Sequence, residues 1–226
     1  MPLTIAVLGA RGRLGHVVTQ AAMAAGHTVL AITRDGHLPD SLAGAEARRA
    51  DAMKADELIA ATEGADVIFN GLNPLYPDWA KMCPVLTENV IAAAKAHKAF
   101  HLFAGNVYNY GHEIPALAGP DTPSVGSVRK GAIRIAMEAR FEEAARDEGV
   151  PTTVLRAGDF YGGPGRGSWF DLVIAGSLHK HKYVWPGRTD IAHSFAYLPD
   201  LARAFVMLAE RHTELPGFNV FTFAGH

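Results

Sequence analysis

The sequence has little cysteine, little excess charge and no long apolar run, and each shortage excludes a class of protein. Cys83 is the only cysteine among 226 residues, which excludes an intramolecular disulfide framework and suits a reducing compartment. The 21 Lys and Arg residues nearly balance 23 Asp and Glu residues, so no basic field attracts a nucleic-acid backbone. No apolar run reaches the ~18 residues of a membrane span, and a strand-like run beginning at residue 3 leaves no room for a signal peptide. We therefore expect a cytoplasmic protein without nucleic-acid or membrane partners.

Strand-like and helix-like segments alternate through the first two thirds of the chain, and 49% of all residues are hydrophobic, enough for one large core. The predicted strands cover residues 3–8, 29–32, 65–69, 99–103 and 152–156. The predicted helices cover residues 14–25, 55–62, 79–97 and 126–147. This alternation predicts an α/β fold with a doubly wound parallel sheet of the Rossmann type. After residue 158 come Gly- and Pro-rich loops, a helix at about 199–211 and a strand at 218–223.

A glycine-rich loop lies between the first predicted strand and the first predicted helix. Its residues are Gly9-Ala10-Arg11-Gly12-Arg13-Leu14-Gly15, with the spacing Gly-x-x-Gly-x-x-Gly. In such a loop the strand turns sharply, the backbone approaches a pyrophosphate, and the helix lies tight on the strand, so a side chain would obstruct each step. The helix N-terminus also offers free N–H groups to phosphates. The loop therefore predicts a dinucleotide site; an ordinary glycine-rich turn is the alternative.

Four later segments fall in a recognisable order behind this loop. They read ADVIF at 65–69, VYNYG at 107–111, LRAGDFYG at 155–162 and FAYLPDLA at 195–202. With the loop, they resemble the extended short-chain dehydrogenase/reductase superfamily of the NAD-dependent epimerase/dehydratase type. The resemblance implies a dinucleotide-binding Rossmann core in residues 1–157 and a small substrate-binding lobe in residues 158–226, interwoven into one compact unit. It also implies an oxidoreductase, epimerase or dehydratase that acts on a small carbonyl or hydroxyl compound, such as a sugar derivative.

The residues that end the second predicted strand decide between NAD and NADP. An acid there binds the ribose hydroxyls of NAD, whereas an arginine beside a small polar residue accommodates the 2′-phosphate of NADP. By resemblance, Thr33 takes the strand-end position and Arg34 follows it. Arg11 and Arg13 in the glycine loop add positive charge that suits a phosphate. We favour NADP; NAD, with Asp35 as the ribose ligand, is the alternative.

The resemblance implies further contacts with the cofactor. Asp51 and Ala52 correspond to the family's acid beside the adenine, and the residues Asn70-Gly71-Leu72 correspond to its loop under the cofactor. Leu14 belongs to the glycine loop itself. Lys130 corresponds to the lysine that binds the nicotinamide ribose; a surface lysine on a helix is the alternative.

The family's catalytic tyrosine and its carbonyl-polarising serine have no counterpart here. By resemblance their positions hold Gly126 and Ala104. An acid or base must then come from elsewhere in the crevice, because hydride transfer needs a partner that exchanges a proton. His193 has the most suitable intrinsic pKa. The candidates, for each of which packing is the alternative role, are Tyr108, Tyr110, His112, Tyr161 and His193. A module that binds NADP without turnover, as a sensor or regulatory subunit, is the second interpretation.

Weaker features remain. His179 and His181 form a pair without a third ligand, so we predict no metal site. Arg166 and Arg188 are candidates for contact with an anionic substrate, and exposed loop arginines are the alternative.

Two predicted helices carry small and apolar residues that are candidates for a homodimer interface. The alternative is that these faces cover the protein's own sheet. The residues concerned are Val90, Ala93, Ile133 and Met137. Cys83, on the first of these helices, is expected to be buried rather than nucleophilic.

Overall fold

The computed structural model describes residues 1–165 and 167–226, and Arg166 lies outside the described residues. The strands are β1 (Thr4–Leu8), β2 (Thr28–Thr33), β3 (Glu46–Arg49), β4 (Val67–Asn70), β5 (Phe100–Asn106), β6 (Thr152–Ala157), β7 (Asp159–Tyr161), β8 (Phe195–Tyr197) and β9 (Phe218–Thr222). Within the described chain, seven of them form one parallel sheet in the order β3-β2-β1-β4-β5-β6-β9. The pair β7–β8 forms a separate small sheet.

The centre of the main sheet consists of short apolar strands with helices on both faces. β1 has Ile5 opposite Val29 of β2 on one side and opposite Val67 of β4 on the other. All four residues of β4 are buried, which is typical of a parallel strand covered on both faces. The chain changes direction across the sheet between β1 and β4. In open α/β sheets this switch point is where ligands bind, beyond the carboxyl ends of the strands.

Five α-helices of the described chain cover the two faces of the sheet. They are α1 (Arg13–Ala24), α2 (Ala55–Ala61), α3 (Trp79–His97), α4 (Arg129–Asp147) and α5 (Leu198–Glu210). On the face of α1 and α5, Phe69 meets Phe205 edge to face, with ring centroids 4.9 Å apart. On the face of α2, α3 and α4, Phe103 packs on Phe141 at 5.0 Å. The predicted doubly wound Rossmann fold is confirmed.

Two elements differ from the prediction for local reasons. The edge strand β3 escapes sequence analysis because its residues are polar and mostly exposed, so it has no apolar run. The helix α4 begins at Arg129 rather than at residue 126. Gly126 has φ of 61° and Val128 is extended, so the helical conformation cannot start before Arg129.

The last third of the chain contributes to both the main sheet and a small lobe. β9 extends the sheet beside β6, with Phe218 opposite Thr152, and α5 lies against α1. The sheet β7–β8 and the loops between its strands lie beyond the carboxyl end of β6. The part of the chain that is available to cover a ligand is therefore shorter than residues 158–226.

The helix faces singled out for a dimer lie inside the protomer. Val90, Ala93 and Met137 are buried, and Ile133 packs against the same core. These faces cover the sheet, so their apolar character is explained without a second copy. Cys83 is buried, and its burial raises the pKa of the thiol. No helix in the described part of the chain is long and apolar enough to cross a membrane.

Candidate active site

A crevice of about 1210 Å³ opens at the carboxyl ends of the central strands. It is lined by the glycine loop, the ends of β2, β5 and β6, and the loops that follow β3 and β4. Among the residues predicted to bind the cofactor, those that line it are Gly9, Arg11, Gly12, Arg13, Leu14, Gly15, Thr33, Arg34, Asp51, Ala52, Gly71 and Leu72. Asn70 and Lys130 do not. The fold thus brings residues from distant parts of the sequence to one cavity.

The glycine loop has the tight geometry that its sequence predicts. Gly9 has φ of 75°, and the amide of Gly12 donates to its carbonyl at 2.8 Å. A Cβ at Gly15 would collide with the same carbonyl oxygen, so α1 lies directly on the turn. No side chain caps the N-terminus of α1, which leaves its first N–H groups to a ligand in the crevice. This geometry fits the pyrophosphate of a dinucleotide.

The arginines of the loop have partners within the protein. Arg11 pairs with Asp35 at 2.8 Å on the surface. Arg13 crosses to the lobe, where it forms an ion pair with Asp171 at 2.7 Å and donates to the carbonyl of Gly162 at 2.6 Å. It also donates to the carbonyl of Pro164 at 3.3 Å. Arg13 therefore joins the glycine loop to the loop between β7 and β8.

The segment after β4 is shaped by a buried asparagine. Asn70 Oδ1 accepts from the amide of Leu72 at 3.3 Å, and Nδ2 lies 3.3 Å from Nε2 of His101. Asn70 thus holds the turn while Gly71 and Leu72 line the crevice. After β3, Asp51 Oδ1 accepts from the amide of Met53 at 3.1 Å, which fixes the loop at the crevice wall.

Two tyrosines and a lysine form a cluster at the end of β5. The hydroxyl oxygens of Tyr108 and Tyr76 lie 2.9 Å apart and share a hydrogen bond. Lys130 Nζ lies 3.4 Å from the ring centroid of Tyr76 and 5.7 Å from that of Tyr108. Glycine at position 131 lets α4 approach this closely, because a Cβ there would collide with the carbonyl of Tyr108. Burial raises the pKa of Tyr108 well above its usual range, and the hydrogen bond with Tyr76 adds to the shift.

Asp159 and His193, which are 34 residues apart in the chain, form a close pair in the lobe. Asp159 lines the crevice at the start of β7, and its Oδ2 lies 2.7 Å from Nε2 of His193. The imidazole stacks on Trp169, with centroids 5.7 Å apart, and meets the edge of Trp185 at 5.5 Å. The negative charge of Asp159 also acts on Tyr108 and helps raise its pKa. The pair and the tyrosine cluster thus belong to one electrostatic environment.

Of the predicted acid/base candidates, Tyr108 lines the crevice; His193 contacts it only through Asp159, and Tyr161, Tyr110 and His112 are not among the lining residues. Tyr161 packs among aromatic rings, 5.2 Å from Tyr197 and 6.1 Å from His226 between centroids. Tyr110 is buried, and its hydroxyl donates to the carbonyl of Gly119 at 3.0 Å. The imidazole of His112 lies 3.1 Å from the hydroxyl of Ser127 on an exposed loop. The two positions that correspond to the family's catalytic serine and tyrosine also differ in location. Ala104 lines the crevice, whereas Gly126 does not.

The polar lining residues that the sequence did not single out include Tyr76, Asp159 and Arg134. Tyr76 lies in a short turn before α3, six residues beyond β4, where no motif marks it. Asp159 was visible as part of the segment 155–162, but its partnership with His193 spans 34 residues. Arg134 follows Lys130 by one helical turn, and this spacing alone could have placed it on the same face of α4.

A parallel sheet with a glycine loop at its first strand–helix turn, below a crevice at the switch point, defines a dinucleotide-binding protein of the Rossmann class. Sequence comparison agrees with this assignment: the NAD(P)H-binding family matches residues 9–198. The chain belongs to this family. No curated protein matches the chain at the sequence level.

Solved structures share the fold over nearly the whole chain. UDP-glucose 4-epimerase from Brucella ovis, in complex with NAD, is 16% identical with a TM-score of 0.82 and covers 98% of this chain and 77% of its own. UDP-N-acetylglucosamine 4-epimerase from Bacillus cereus is 19% identical, with a TM-score of 0.80 over 98% of this chain and 77% of that one. The Bordetella bronchiseptica enzyme WbmG, in complex with NAD, is 19% identical, with a TM-score of 0.79 over 99% and 73%. The fold is therefore that of the extended epimerases, as the sequence resemblance implies.

A group of three or more metal-ligating side chains does not occur among the described residues. His179 and His181 are exposed on a loop of the lobe.

Proposed function

We propose that the protein is an NAD(P)-dependent oxidoreductase of the epimerase/dehydratase type that acts on a small carbonyl or hydroxyl compound. One observation carries this proposal: a single crevice contains a dinucleotide loop, the hydroxyl of Tyr108 and the carboxylate of the Asp159–His193 pair. A binding site for phosphates alone would not need the last two groups. When bound, the dinucleotide supplies hydride transfer at its nicotinamide ring.

Tyr108 would act as a hydrogen-bond donor to the substrate oxygen. Its raised pKa keeps the phenol protonated at neutral pH, so its hydroxyl can donate to a carbonyl and stabilise the negative charge that develops there. The hydrogen bond to Tyr76 and the position of Lys130 hold the ring in place. Lys130 does not line the crevice, and its Nζ lies over the ring of Tyr76, so we propose that it positions the tyrosines.

His193 would exchange the proton. Histidine is the side chain that most often transfers protons in enzyme sites, because its ring nitrogens can both accept and donate one. Asp159 fixes the orientation of the ring through its contact with Nε2. This division assigns charge stabilisation to Tyr108 and proton exchange to His193, in place of the single tyrosine of the family.

We further propose NADP as the preferred cofactor, with NAD as the alternative. Arg34 lines the crevice at the end of β2, next to Thr33, where the adenosine ribose is expected. Asp35, the ribose ligand in the alternative, is already paired with Arg11 and hydrogen-bonded by the amide of His37 at 3.1 Å. These bonds hold its pKa below the usual range, so it is an anion beside the position of the 2′-phosphate, and Arg11 neutralises it.

The first experiment is a fluorescence titration of the purified protein with NADPH and NADH. Arg34→Ala should weaken NADPH binding selectively, and Gly12→Asp should abolish binding of both, because its carboxylate would lie against the pyrophosphate. Arg146→Ala, which removes an exposed arginine at the far end of α4, is the matched control. Equal affinity for both nucleotides in wild type and Arg34→Ala would refute the NADP assignment. Binding of neither would refute the proposed function.

Turnover is tested next with a panel of small carbonyl compounds and NADPH. Tyr108→Phe and His193→Ala should each lower kcat about 10²- to 10⁴-fold with little change in NADPH affinity. Tyr183→Phe, which removes the hydroxyl of an exposed tyrosine, is the control. Tight NADPH binding without turnover of any compound would instead support the non-catalytic NADP sensor.

A further inference from the structure

Arg134 is a buried cation, and several of its hydrogen-bond donors have no partner among the described residues. It lies on α4 one turn after Lys130, lines the crevice and is only 4% exposed. Its Nη2 donates to Asn73 Oδ1 at 3.1 Å. Within the described residues, Nε and Nη1 have no hydrogen-bond partner. A guanidinium carries one N–H on Nε and two on each Nη, so most of its donors are unused.

No carboxylate neutralises this guanidinium in the described part of the chain. The nearest acid on its own helix face, Glu138, is already committed to Arg156, whose Nη2 lies 2.6 Å from Oε2. Asn73 is neutral, and Lys130 adds a second positive charge on the same helix face. The guanidinium instead lies over two aromatic rings, 4.4 Å from the centroid of Trp79 and 5.2 Å from that of Phe103.

A buried guanidinium without a counter-charge destabilises the folded protein unless a ligand pairs with it. Removing a charge from water without a partner and hydrogen bonds is strongly unfavourable, and the burial of Arg134 lowers its pKa accordingly. Buried arginines in proteins are otherwise paired, as Arg156 is. The planar fork of a guanidinium matches the oxygens of carboxylates and phosphates. The missing partner is therefore an anion from outside the chain.

We propose that Arg134 is the anion-recognition residue of the crevice and binds an oxyanion, carboxylate or phosphate, of a molecule held beside Tyr108. Arg134 lines the crevice together with Asn73, which accepts from its Nη2, and with Tyr76. Asn73 and Tyr76 are both exposed, and Tyr76 is 51% accessible, so this part of the crevice wall is open to solvent. The proposal deepens the proposed function, on which it rests for the identity of the crevice, by assigning a negative charge to the ligand.

The oxyanion has two possible sources, the substrate or a phosphate of the dinucleotide. Two variants of the full-length protein separate them. Arg134→Met removes the charge and keeps the length of the side chain. Asn73→Asp leaves Arg134 in place and supplies an internal carboxylate at Nη2 with almost no change of shape. Arg146→Met, on the exposed end of the same helix, is the control.

The probes are inorganic phosphate and sodium acetate, compared with sodium chloride at equal ionic strength, and the readout is the Tm of the protein without cofactor. We expect phosphate or acetate to raise the Tm of wild type and of Arg146→Met above its value in chloride. Both test variants should lose the increase in acetate, whereas a phosphate increase that survives in both belongs to the glycine loop. Without added anion, Asn73→Asp should melt higher than wild type, because the buried charge is then paired.

The nucleotide titration identifies the source. If the substrate supplies the oxyanion, Arg134→Met binds NADPH as wild type does; if the dinucleotide supplies it, affinity falls about 10- to 100-fold. An equal response of wild type to all three salts, or an undiminished acetate response in Asn73→Asp, would overturn the proposal. An anion response that depends on Arg134 in a protein that binds no dinucleotide would sink the proposed function and leave the anion site standing.

Discussion

Replacing Glu138 by methionine should lower the free energy of unfolding far more than a substitution on a helix usually does. Glu138 and Arg156 are both buried, with side chains 6% and 7% exposed, and they join α4 to β6 beneath the crevice. Arg156 donates from Nε and Nη2 to the carboxylate at 3.2 and 2.6 Å, and from Nη1 to the hydroxyl of Tyr110 at 3.1 Å. Without Glu138, the guanidinium would keep its burial and lose its counter-charge.

The expected cost follows from that uncompensated charge. Breaking one partner of a buried ion pair costs about 3–5 kcal/mol. For a chain of this size, each kcal/mol lowers the Tm by about 2–4 °C, so Glu138→Met should melt roughly 6–20 °C below wild type. The double variant Glu138→Met/Arg156→Met should recover most of this loss, because two apolar side chains then replace the pair. Tyr110 keeps its bond to the carbonyl of Gly119 in that variant.

Urea unfolding followed by circular dichroism gives the free energies for a double-mutant cycle. Glu142→Met, an exposed position one turn further along α4, is the control and should change stability by less than about 0.5 kcal/mol. A loss below about 1 kcal/mol in Glu138→Met, or additive losses in the double variant, would refute the argument that charge burial dominates here.

Three further predictions concern other residues. Gly15→Ala should abolish dinucleotide binding in the fluorescence titration, because the added Cβ meets the carbonyl of Gly9; retained affinity would show that α1 can shift. His101 is fully buried, and this burial lowers its pKa to about 3 in the folded protein. At acidic pH, His101 therefore binds a proton more readily in the unfolded chain than in the folded one. Its contribution to stability is therefore present above about pH 6.5 and falls by about 1.4 kcal/mol per pH unit toward pH 3. A His101→Gln variant should lose that slope in urea titrations at several pH values, and an unchanged slope would contradict the assignment. Cys83 should react with a thiol reagent only after denaturation, because the thiol is buried and its pKa is raised; rapid labelling of the native protein would contradict this.

Sequence patterns predict the elements whose stability comes from burial along one face. The long helix α3 begins and ends where the apolar periodicity begins and ends, at Trp79 and His97. The glycine loop is predicted because its requirements are local: Gly9 has a positive φ, and Gly12 and Gly15 lie close against its carbonyl oxygen. By contrast, β3 is held by backbone pairing with β2, which any side chain permits, and so its residues carry no apolar signal.

At the crevice, the contacts that could not be predicted from the sequence are those between residues far apart in the chain. His193 stands out in the sequence by its chemistry, but nothing near it indicates that Asp159 is its partner. The same holds for Tyr76 and Tyr108, which are 32 residues apart. Arg134 has the sequence context of a solvated helix residue, and its burial follows only from the packing of α3 against α4.

The three bonds of Arg13 to the lobe mean that the glycine loop and the loop between β7 and β8 cannot be redesigned independently. Arg13 belongs to the glycine loop, which an engineer would alter first in order to change how the protein binds a dinucleotide. Its guanidinium nevertheless anchors the loop of Gly162, Pro164 and Asp171 on the opposite side of the crevice. A substitution at this one position therefore changes the charge of the glycine loop and releases the loop of the lobe at the same time.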